Sequence, residues 1–280
     1  MSADRGQHPA TSLRAHGLRP NKALGQNFLL DPGIAARIAE AATPSQGGTV
    51  LEIGAGLGAL TRPLLCRAAK VLAFERDAKL TALLREQLGP TPGLELVCAD
   101  ALARDWREEL RPWPEPHTLA GNLPYVITGP VLERTVALAP HVERAVFMVQ
   151  REVAARVAAP PGSRTYGALS VFVQAAFAID RLLTAKPGAF YPAPGVDSTV
   201  IVLRALRPPR AVESEAFRTV VRSAFGERRK MLRNTWRALG GWSPAELADH
   251  AHACGIDLEA RAETLDVEAF ARMAARLGSG

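Results

Sequence analysis

The sequence has few cysteines, no apolar leader and no long apolar run. Its three cysteines, Cys66, Cys98 and Cys254, are too scattered for a disulfide framework, and no Cys-x-x-Cys pair indicates a zinc site. The first residues, MSADRGQHPATSLRAHGLRPN, lack the apolar stretch of a secretory signal, and no later run is long enough to cross a bilayer. We therefore expect a cytoplasmic protein that has no metal site and does not enter a membrane.

Length and composition favour a globular protein of two domains. The chain has 280 residues, 48% of them hydrophobic, which is enough to bury more than one core. Lysine and arginine outnumber aspartate and glutamate by 34 to 28, so the net charge is +6. This balance favours a polyanionic partner only weakly, because a solvated basic surface explains it equally well.

Strand-like and helix-like segments alternate through the first 160 residues. The predicted strands are TVLEI, VLAFE, LELVCAD, HTLAGN and AVFMVQ, and helical patterns follow most of them. This alternation predicts an α/β fold with a parallel sheet and crossover helices. Asp31 before Pro32 predicts a helix over 32–42, ahead of the first of these strands. The segment 160–205 is expected to add strands to one edge of the sheet.

The pattern changes to helices alone after RPPR at 207–210. Four helices are predicted, at about 214–225, 228–239, 243–253 and 266–277. We therefore place a domain boundary near residue 208. This divides the chain into a flexible N-terminal arm at 1–20, an α/β domain at 21–207 and a smaller all-helical domain at 208–280.

A glycine-rich loop follows the first predicted strand of the sheet, in LEIGAGLGAL at 51–60. Gly54, Gly56 and Gly58 allow a ligand to approach the backbone and the start of the next helix. Glu75 ends the following strand, where a carboxylate can accept hydrogen bonds from ribose hydroxyls, and Asp100 follows the third strand. The loop alone fits S-adenosylmethionine, a nicotinamide cofactor or a purely structural turn.

The stretch GNLPY at 121–125 ends the fourth predicted strand, at the sheet edge where ligands bind in such folds. The side-chain oxygen of Asn122 and the carbonyl of Leu123 are suitable acceptors for the two N–H bonds of an exocyclic amine. Pro124 makes the preceding residue extended, and Tyr125 offers a stacking surface for a base turned out of its helix. The alternative is that Asn122 caps the next helix and Tyr125 lies in the core.

In the order of its motifs, the sequence resembles the dimethyladenosine transferases. These are the kasugamycin-sensitivity enzymes that modify two adjacent adenines near the 3′ end of 16S rRNA. The resemblance runs from about residue 12 to residue 272. It is carried by LGQNFLLD at 24–31, LEIGAGLGALT at 51–61, ERD at 75–77, DAL at 100–102, GNLPY at 121–125, VQREVAAR at 149–156, YGALSVFVQ at 166–174, GAFYPAPGVDS at 188–198 and FGERRKMLRN at 225–234.

The resemblance implies a Rossmann-like S-adenosylmethionine-dependent methyltransferase sheet, acting as a monomer on 16S rRNA of the small ribosomal subunit and taking part in subunit maturation. It assigns the cofactor to Asn27, Leu29, Gly54, Glu75, Asp100 and Asn122. It assigns the target adenine to Asn122, Leu123, Tyr125 and Phe190, with Phe190 stacking on the opposite face of the base from Tyr125. Each assignment has a structural alternative, since Phe190 suits a core, Asp100 a helix cap and Asn27 a turn.

A basic helix at 228–239 is the predicted RNA contact. Arg229, Arg233 and Arg237 would lie on one helical face with Arg228 and Lys230 beside them, as a phosphate-binding surface requires. A solvated face is the alternative.

The sequence departs from the usual motifs of the family at Val126, Gly129, Gly195 and Met231, which affects RNA docking more than the chemistry. Other functions remain open. The related large-subunit adenine methyltransferases that confer macrolide resistance share the cofactor and chemistry, and an assembly factor or a nicotinamide-dependent oxidoreductase would use the same fold.

Overall fold

A seven-stranded sheet with helices on both faces forms the larger part of the structure. The computed structural model of the protein describes residues 9–227 and 229–278. Within these ranges the strands are β1 (Phe28–Leu29), β2 (Thr49–Ile53), β3 (Lys70–Glu75), β4 (Leu94–Cys98), β5 (His117–Asn122), β6 (Arg144–Gln150), β7 (Phe177–Ala185), β8 (Phe190–Tyr191) and β9 (Ser198–Ala205). The α-helices are α1 (Pro9–Ala15), α2 (Pro32–Ala42), α3 (Thr61–Leu65), α4 (Ala78–Leu88), α5 (Trp106–Leu110), α6 (Thr128–Leu138), α7 (Arg151–Val157), α8 (Ala168–Ala176), α9 (Glu215–Gly226), α10 (Leu232–Thr235), α11 (Pro244–Ala253) and α12 (Val267–Leu277).

The strand order of the large sheet is β4-β3-β2-β5-β6-β9-β7. The pairs from β4 to β6 are parallel. The chain moves outward from β2 through β3 and β4, and then returns to the other side of β2 to begin β5. The order therefore reverses between β2 and β5, and a crevice opens at that point beyond the carboxyl ends of the strands. The predicted parallel sheet and the added edge strands are both confirmed.

Apolar side chains on both faces explain why the central strands are buried. All of β2 is buried, and α2 packs on the neighbouring strands β5 and β6, with Ile38 and Ala39 each 0% exposed. Helix α2 begins as predicted, because Asp31 Oδ1 accepts hydrogen bonds from the backbone N–H groups of Gly33 and Ile34. Among the described residues, no helix has the length and apolar character needed to span a membrane.

The chain forms two compact units, divided differently from the predicted boundary near residue 208. The first unit holds the chain up to Ala154 together with Asp180–Leu203, and the second holds Ala155–Ile179 and the residues from Arg204 onward. The second unit includes α8, and aromatic rings of this helix and of the residues just before it pack against α9. Phe172 packs edge-on against Phe217 with ring centres 6.0 Å apart, and Tyr166 packs against Phe225 at 6.2 Å.

The predicted basic helix at 228–239 is wrong. Helix α9 ends at Gly226, and among the described residues of 227–239 only the four of α10 are α-helical. The first N–H groups of α10, at Leu232 and Arg233, donate to the carbonyls of Ala260 and Leu258 at 2.9 Å. A distant segment therefore takes the hydrogen bonds that a longer helix would have made internally.

The arginines of that segment consequently do not share one helical face. Arg233 Nη1 pairs with Glu259 Oε1 at 2.7 Å, and Arg237 lies in a turn after α10. Arg229 and Lys230 are exposed in the turn before it. Arg228 lies outside the described residues.

The N-terminal segment packs on the first unit from Pro9 onward, which differs from the flexible arm expected over 1–20. Leu13 of α1 is 2% exposed and packs in a small apolar cluster with Phe28 and Leu80. Residues 1–8 lie outside the described part of the chain.

We predict that Leu13→Ala lowers the free energy of unfolding by about 2 kcal/mol, because it removes a buried side chain. Urea denaturation measures the change, and Thr11→Ala, on the exposed side of the same helix, is the matched control. If both variants were equally stable, Leu13 would not contribute to packing, and the expectation of a flexible N-terminal arm would stand.

Candidate active site

A cavity in the first unit lies beyond the carboxyl ends of β2, β3 and β5. Apart from Phe190, it brings together the residues that the sequence analysis assigned to the cofactor and the target adenine. Those that line it are Asn27, Leu29, Gly54, Glu75, Asp100, Asn122, Leu123 and Tyr125. Residues separated by almost a hundred positions in the chain therefore face one space.

The glycine loop forms the floor of this cavity after β2. Gly54, Gly56 and Gly58 have φ values of 81°, 55° and 79°, a region that side chains disfavour. A Cβ atom on Gly58 would also lie 2.6 Å from Leu84 Cδ1, so a larger residue there would displace the packing of α4. Backbone conformation thus favours glycine at all three positions, and at Gly58 the space beside Leu84 requires it as well.

Glu75 is held by backbone N–H groups at the end of β3. Its Oε2 accepts from Gly56 N and its Oε1 accepts from Asp77 N, both at 2.8 Å. Burial raises the pKa of Glu75, and the hydrogen bonds from Asp77 and Gly56 oppose that rise. Each oxygen of an ionised carboxylate retains a second acceptor position. The arrangement can therefore bind two adjacent hydroxyls, as the sequence analysis expected.

Asp100 serves both as a cap and as a cavity residue. Its Oδ1 accepts from Leu102 N at 2.9 Å, at the start of a 3₁₀ turn. Its Oδ2 pairs with Arg76 Nη1 at 3.3 Å, and both side chains line the cavity. The capping alternative is therefore correct as a description of local structure, and it fixes the carboxylate beside the cavity.

The amide of Asn122 is oriented by the segment that contains Asn27. Asn122 Nδ2 donates to the Asn27 carbonyl at 2.8 Å, and Asn27 Nδ2 in turn donates to the Gly25 carbonyl at 3.1 Å. Asn122 does not cap α6, which begins at Thr128 and has no side-chain cap.

Two acceptors remain on the cavity wall at this point. Asn122 Oδ1 accepts no hydrogen bond from the described residues, and neither does the carbonyl of Leu123. Leu123 N donates to Met148 O at 3.1 Å, which fixes the peptide against β6. Neighbouring acceptors held in this way can bind the two N–H bonds of an amine.

Tyr125 stands at the mouth of the cavity with a restrained ring. Its hydroxyl forms a 3.0 Å hydrogen bond with Ser198 Oγ, and Ser198 is buried. The side chain is half-buried and lines the cavity, in contrast to the core alternative. Val126, the next residue and a departure from the family motif, is 66% exposed.

Phe190 is placed differently from the expectation. It is 4% exposed, belongs to the core of the first unit and does not line the cavity. The reason is the short ladder between β1 and β8, in which Phe190 is paired with Leu29. In this conformation its ring supports the Leu29 wall and is not available to stack on a base.

Glu52 is a cavity residue that the sequence analysis missed. It is 1% exposed, and its Oε2 has no hydrogen-bond partner among the residues that the structure describes. Burial raises its pKa to about 7; the nearby Thr61 hydroxyl opposes the shift, and the charge of Glu75 adds to it. The signal in the sequence was a single charged residue within the apolar strand LEI.

We predict that Glu52 makes stability depend on pH. Its pKa is raised by folding, so its protonated form is favoured, and the wild type loses stability relative to Glu52→Gln as the pH rises from 4.5 through about 7. The loss is on the order of 3 kcal/mol. Urea denaturation at pH 5, 6, 7 and 8 measures it. A constant difference between the two proteins across this range would contradict the assigned pKa.

Solved structures with the same fold identify the class. A dimethyladenosine transferase from Plasmodium falciparum is 23% identical, covers 90% of this chain and 98% of its own, and superposes with a TM-score of 0.78. The 23S rRNA methyltransferase ErmE is 30% identical, with a TM-score of 0.66 and coverage of 90% and 100%. The fold is that of the α/β S-adenosylmethionine-dependent methyltransferases.

Sequence comparison gives the family within that class. Residues 17–278 match the family described as ribosomal RNA adenine dimethylase. The ribosomal RNA small subunit methyltransferase A of Geobacter metallireducens is 40% identical over 265 residues, which is 93% of this chain and 96% of that protein. The chain belongs to the ribosomal RNA adenine dimethylase family and is an rRNA adenine dimethyltransferase. The predicted enzyme class and cofactor are confirmed.

Proposed function

We propose that the protein dimethylates the N6 amines of two adjacent adenines near the 3′ end of 16S rRNA, in the small ribosomal subunit in the cytoplasm, with a part in subunit maturation. The observation that carries the chemistry is the pair of acceptors on the cavity wall, Asn122 Oδ1 and the Leu123 carbonyl. The names of similar proteins, such as the small subunit methyltransferase of G. metallireducens, support the choice of subunit.

Six residues would hold the cofactor in the cavity, and one of them, Asn122, would also border the target base. Glu75 has one acceptor position left on each oxygen and would accept from the ribose hydroxyls, and Asp100, at the next strand end, would accept from the adenine amine. Gly54 leaves the backbone open to the methionine part, and Asn27 and Leu29 close the opposite wall. When bound, S-adenosylmethionine supplies a methyl group on a positively charged sulfur.

Asn122 and Leu123 would prepare the amine for transfer. The lone pair of an exocyclic amine is delocalised into its ring, which makes the nitrogen a poor nucleophile. Acceptors aimed at both N–H bonds draw the nitrogen toward tetrahedral geometry and free the lone pair. The methylated amine is acidic enough to release its proton to water, so the chain needs no strong base and acts by position and fixed dipoles.

Tyr125 would supply the stacking face for an adenine turned out of its helix. Its bond to Ser198 Oγ restrains the ring before the base arrives. Phe190 would act indirectly, because it lies in the core and holds Leu29. In the second unit, the exposed Arg229 and Lys230 remain candidates for phosphate contact.

We predict that labelled methyl groups from S-adenosylmethionine appear on small subunits that lack the modification, as dimethyladenosine at two adjacent positions. Free large subunits and naked rRNA are tested in parallel, and the products are mapped by mass spectrometry. Label on the large subunit would move the protein to the macrolide-resistance type. Binding of small subunits with no label would favour an assembly factor.

We expect Asn122→Ala to lower the rate of transfer about 100-fold, the scale seen when one preorganised hydrogen-bond group is removed from an active site. Calorimetric affinity for S-adenosylmethionine should also fall, because Asn122 holds the Asn27 segment, but by a smaller factor than the rate, since Glu75 and Asp100 are intact. Thr135→Ser is the control, because Thr135 is buried in α6 and away from the cavity. A variant with wild-type rate would remove Asn122 from the chemistry.

A further inference from the structure

Three charged side chains form a cluster beyond the carboxyl end of β6. Lys186 Nζ lies 2.9 Å from Asp197 Oδ2, and Arg151 Nη1 lies 3.7 Å from the same oxygen. The backbone N–H of Arg151 donates to the Asp197 carbonyl at 2.9 Å. We call Arg151, Lys186 and Asp197 the β6-edge cluster; all three residues belong to the first unit.

The cluster is connected to the residues of the cavity mouth. Asp197 immediately precedes Ser198, whose Oγ bonds to the Tyr125 hydroxyl at 3.0 Å. Arg151 immediately follows β6, the strand whose Met148 carbonyl accepts from Leu123 N. Two independent backbone connections therefore place the cluster at the same sheet edge as Tyr125 and the amine acceptors.

The two cations of the cluster, Arg151 and Lys186, are far more exposed than Asp197, the carboxylate that holds them. The side chains of Arg151 and Lys186 are 72% and 79% exposed, whereas that of Asp197 is 16% exposed. One carboxylate holds two cations, so the cluster carries an excess of one positive charge. Exposed ion pairs add little to folding stability. The arrangement instead holds two solvated cations in place next to the cavity mouth, where an anion can reach both.

We propose that Arg151 and Lys186 bind the phosphates that flank the target nucleotide while its base occupies the cavity. This inference rests on the proposed function and adds to it a contact surface within the first unit, whereas the sequence analysis assigned RNA binding to the helical segment alone. A nucleotide turned out of its helix keeps a phosphate on each side. The planar guanidinium of Arg151 suits two oxygens of one phosphate, and the ammonium of Lys186 acts as a point charge. Asp197 is the positioning residue of the cluster.

Arg111 provides a matched control. Its side chain is 73% exposed and its Nη2 pairs with Glu108 Oε2 at 2.9 Å, so it resembles Arg151 in exposure and partner. It follows α5 and precedes β5, which places it toward the amino end of that strand and away from the cavity mouth. Arg111→Ala therefore removes the same charge from the opposite edge of the sheet.

The experiment measures binding of naked small-subunit rRNA by the full-length protein between 0.05 and about 0.3 M salt, for wild type, Arg151→Ala, Lys186→Ala and Arg111→Ala. Each lost phosphate contact should reduce the slope of log affinity against log salt by roughly 0.7, which is roughly a four-fold loss of affinity at 0.15 M salt. Arg151→Ala and Lys186→Ala should show this change and raise KM for small subunits. Lys186→Arg keeps the positive charge and should therefore show the wild-type slope. All four variants should bind S-adenosylmethionine with the wild-type affinity.

Slopes for Arg151→Ala and Lys186→Ala equal to that of Arg111→Ala would overturn the inference. A slope that Lys186→Arg fails to restore would also count against it, since charge would then not be the cause. Failure of the proposed function has a different result, namely that the wild type does not label small subunits. In that case the same slopes, measured on the RNA that it does label, still decide the role of the cluster.

Discussion

The hydrogen bond from Asn122 Nδ2 to the Asn27 carbonyl is the interaction on which the active site depends. It is 2.8 Å long and joins residues 95 positions apart in the chain. Because it uses a donor of the amide, Asn122 Oδ1 remains as an acceptor beside the Leu123 carbonyl. The same bond holds the segment before β1 against the end of β5 and so closes the cavity. One contact therefore influences both the polarity of the cavity wall and the shape of the cavity.

The buried carboxylates show how an apolar cavity accommodates negative charge. Glu75 receives backbone N–H groups on both oxygens and is suited to bind hydroxyls. Glu52, on the adjacent strand, has one oxygen without a partner in the described part of the chain, and its pKa is raised to about 7. Burial raises the pKa of both carboxyl groups, and at Glu75 the backbone N–H donors oppose that rise.

Under the inference drawn above, the first unit would carry more of the RNA-binding surface than charge counting along the chain suggests. Arginines close together in sequence lost their common face when the segment after α9 bonded to the carbonyls of Leu258 and Ala260. By contrast, Arg151 and Lys186 are far apart in sequence and are brought together by Asp197. Tertiary contacts therefore separated the charges that formed a sequence motif and assembled a cluster that no motif marked.

Local sequence alone determined the parallel sheet, the glycine loop, most of the helix starts and the strand-end positions of Glu75, Asp100 and Asn122. These features depend on periodicity, capping residues and backbone conformation, all of which act over a few positions. Tertiary structure decided the burial of Phe190, the docking of Leu13, the short α10 and the position of the buried Glu52 beside the cavity. Each of these depends on partners distant in the chain, and the free energy of such contacts exceeds the weak local preferences that a sequence displays.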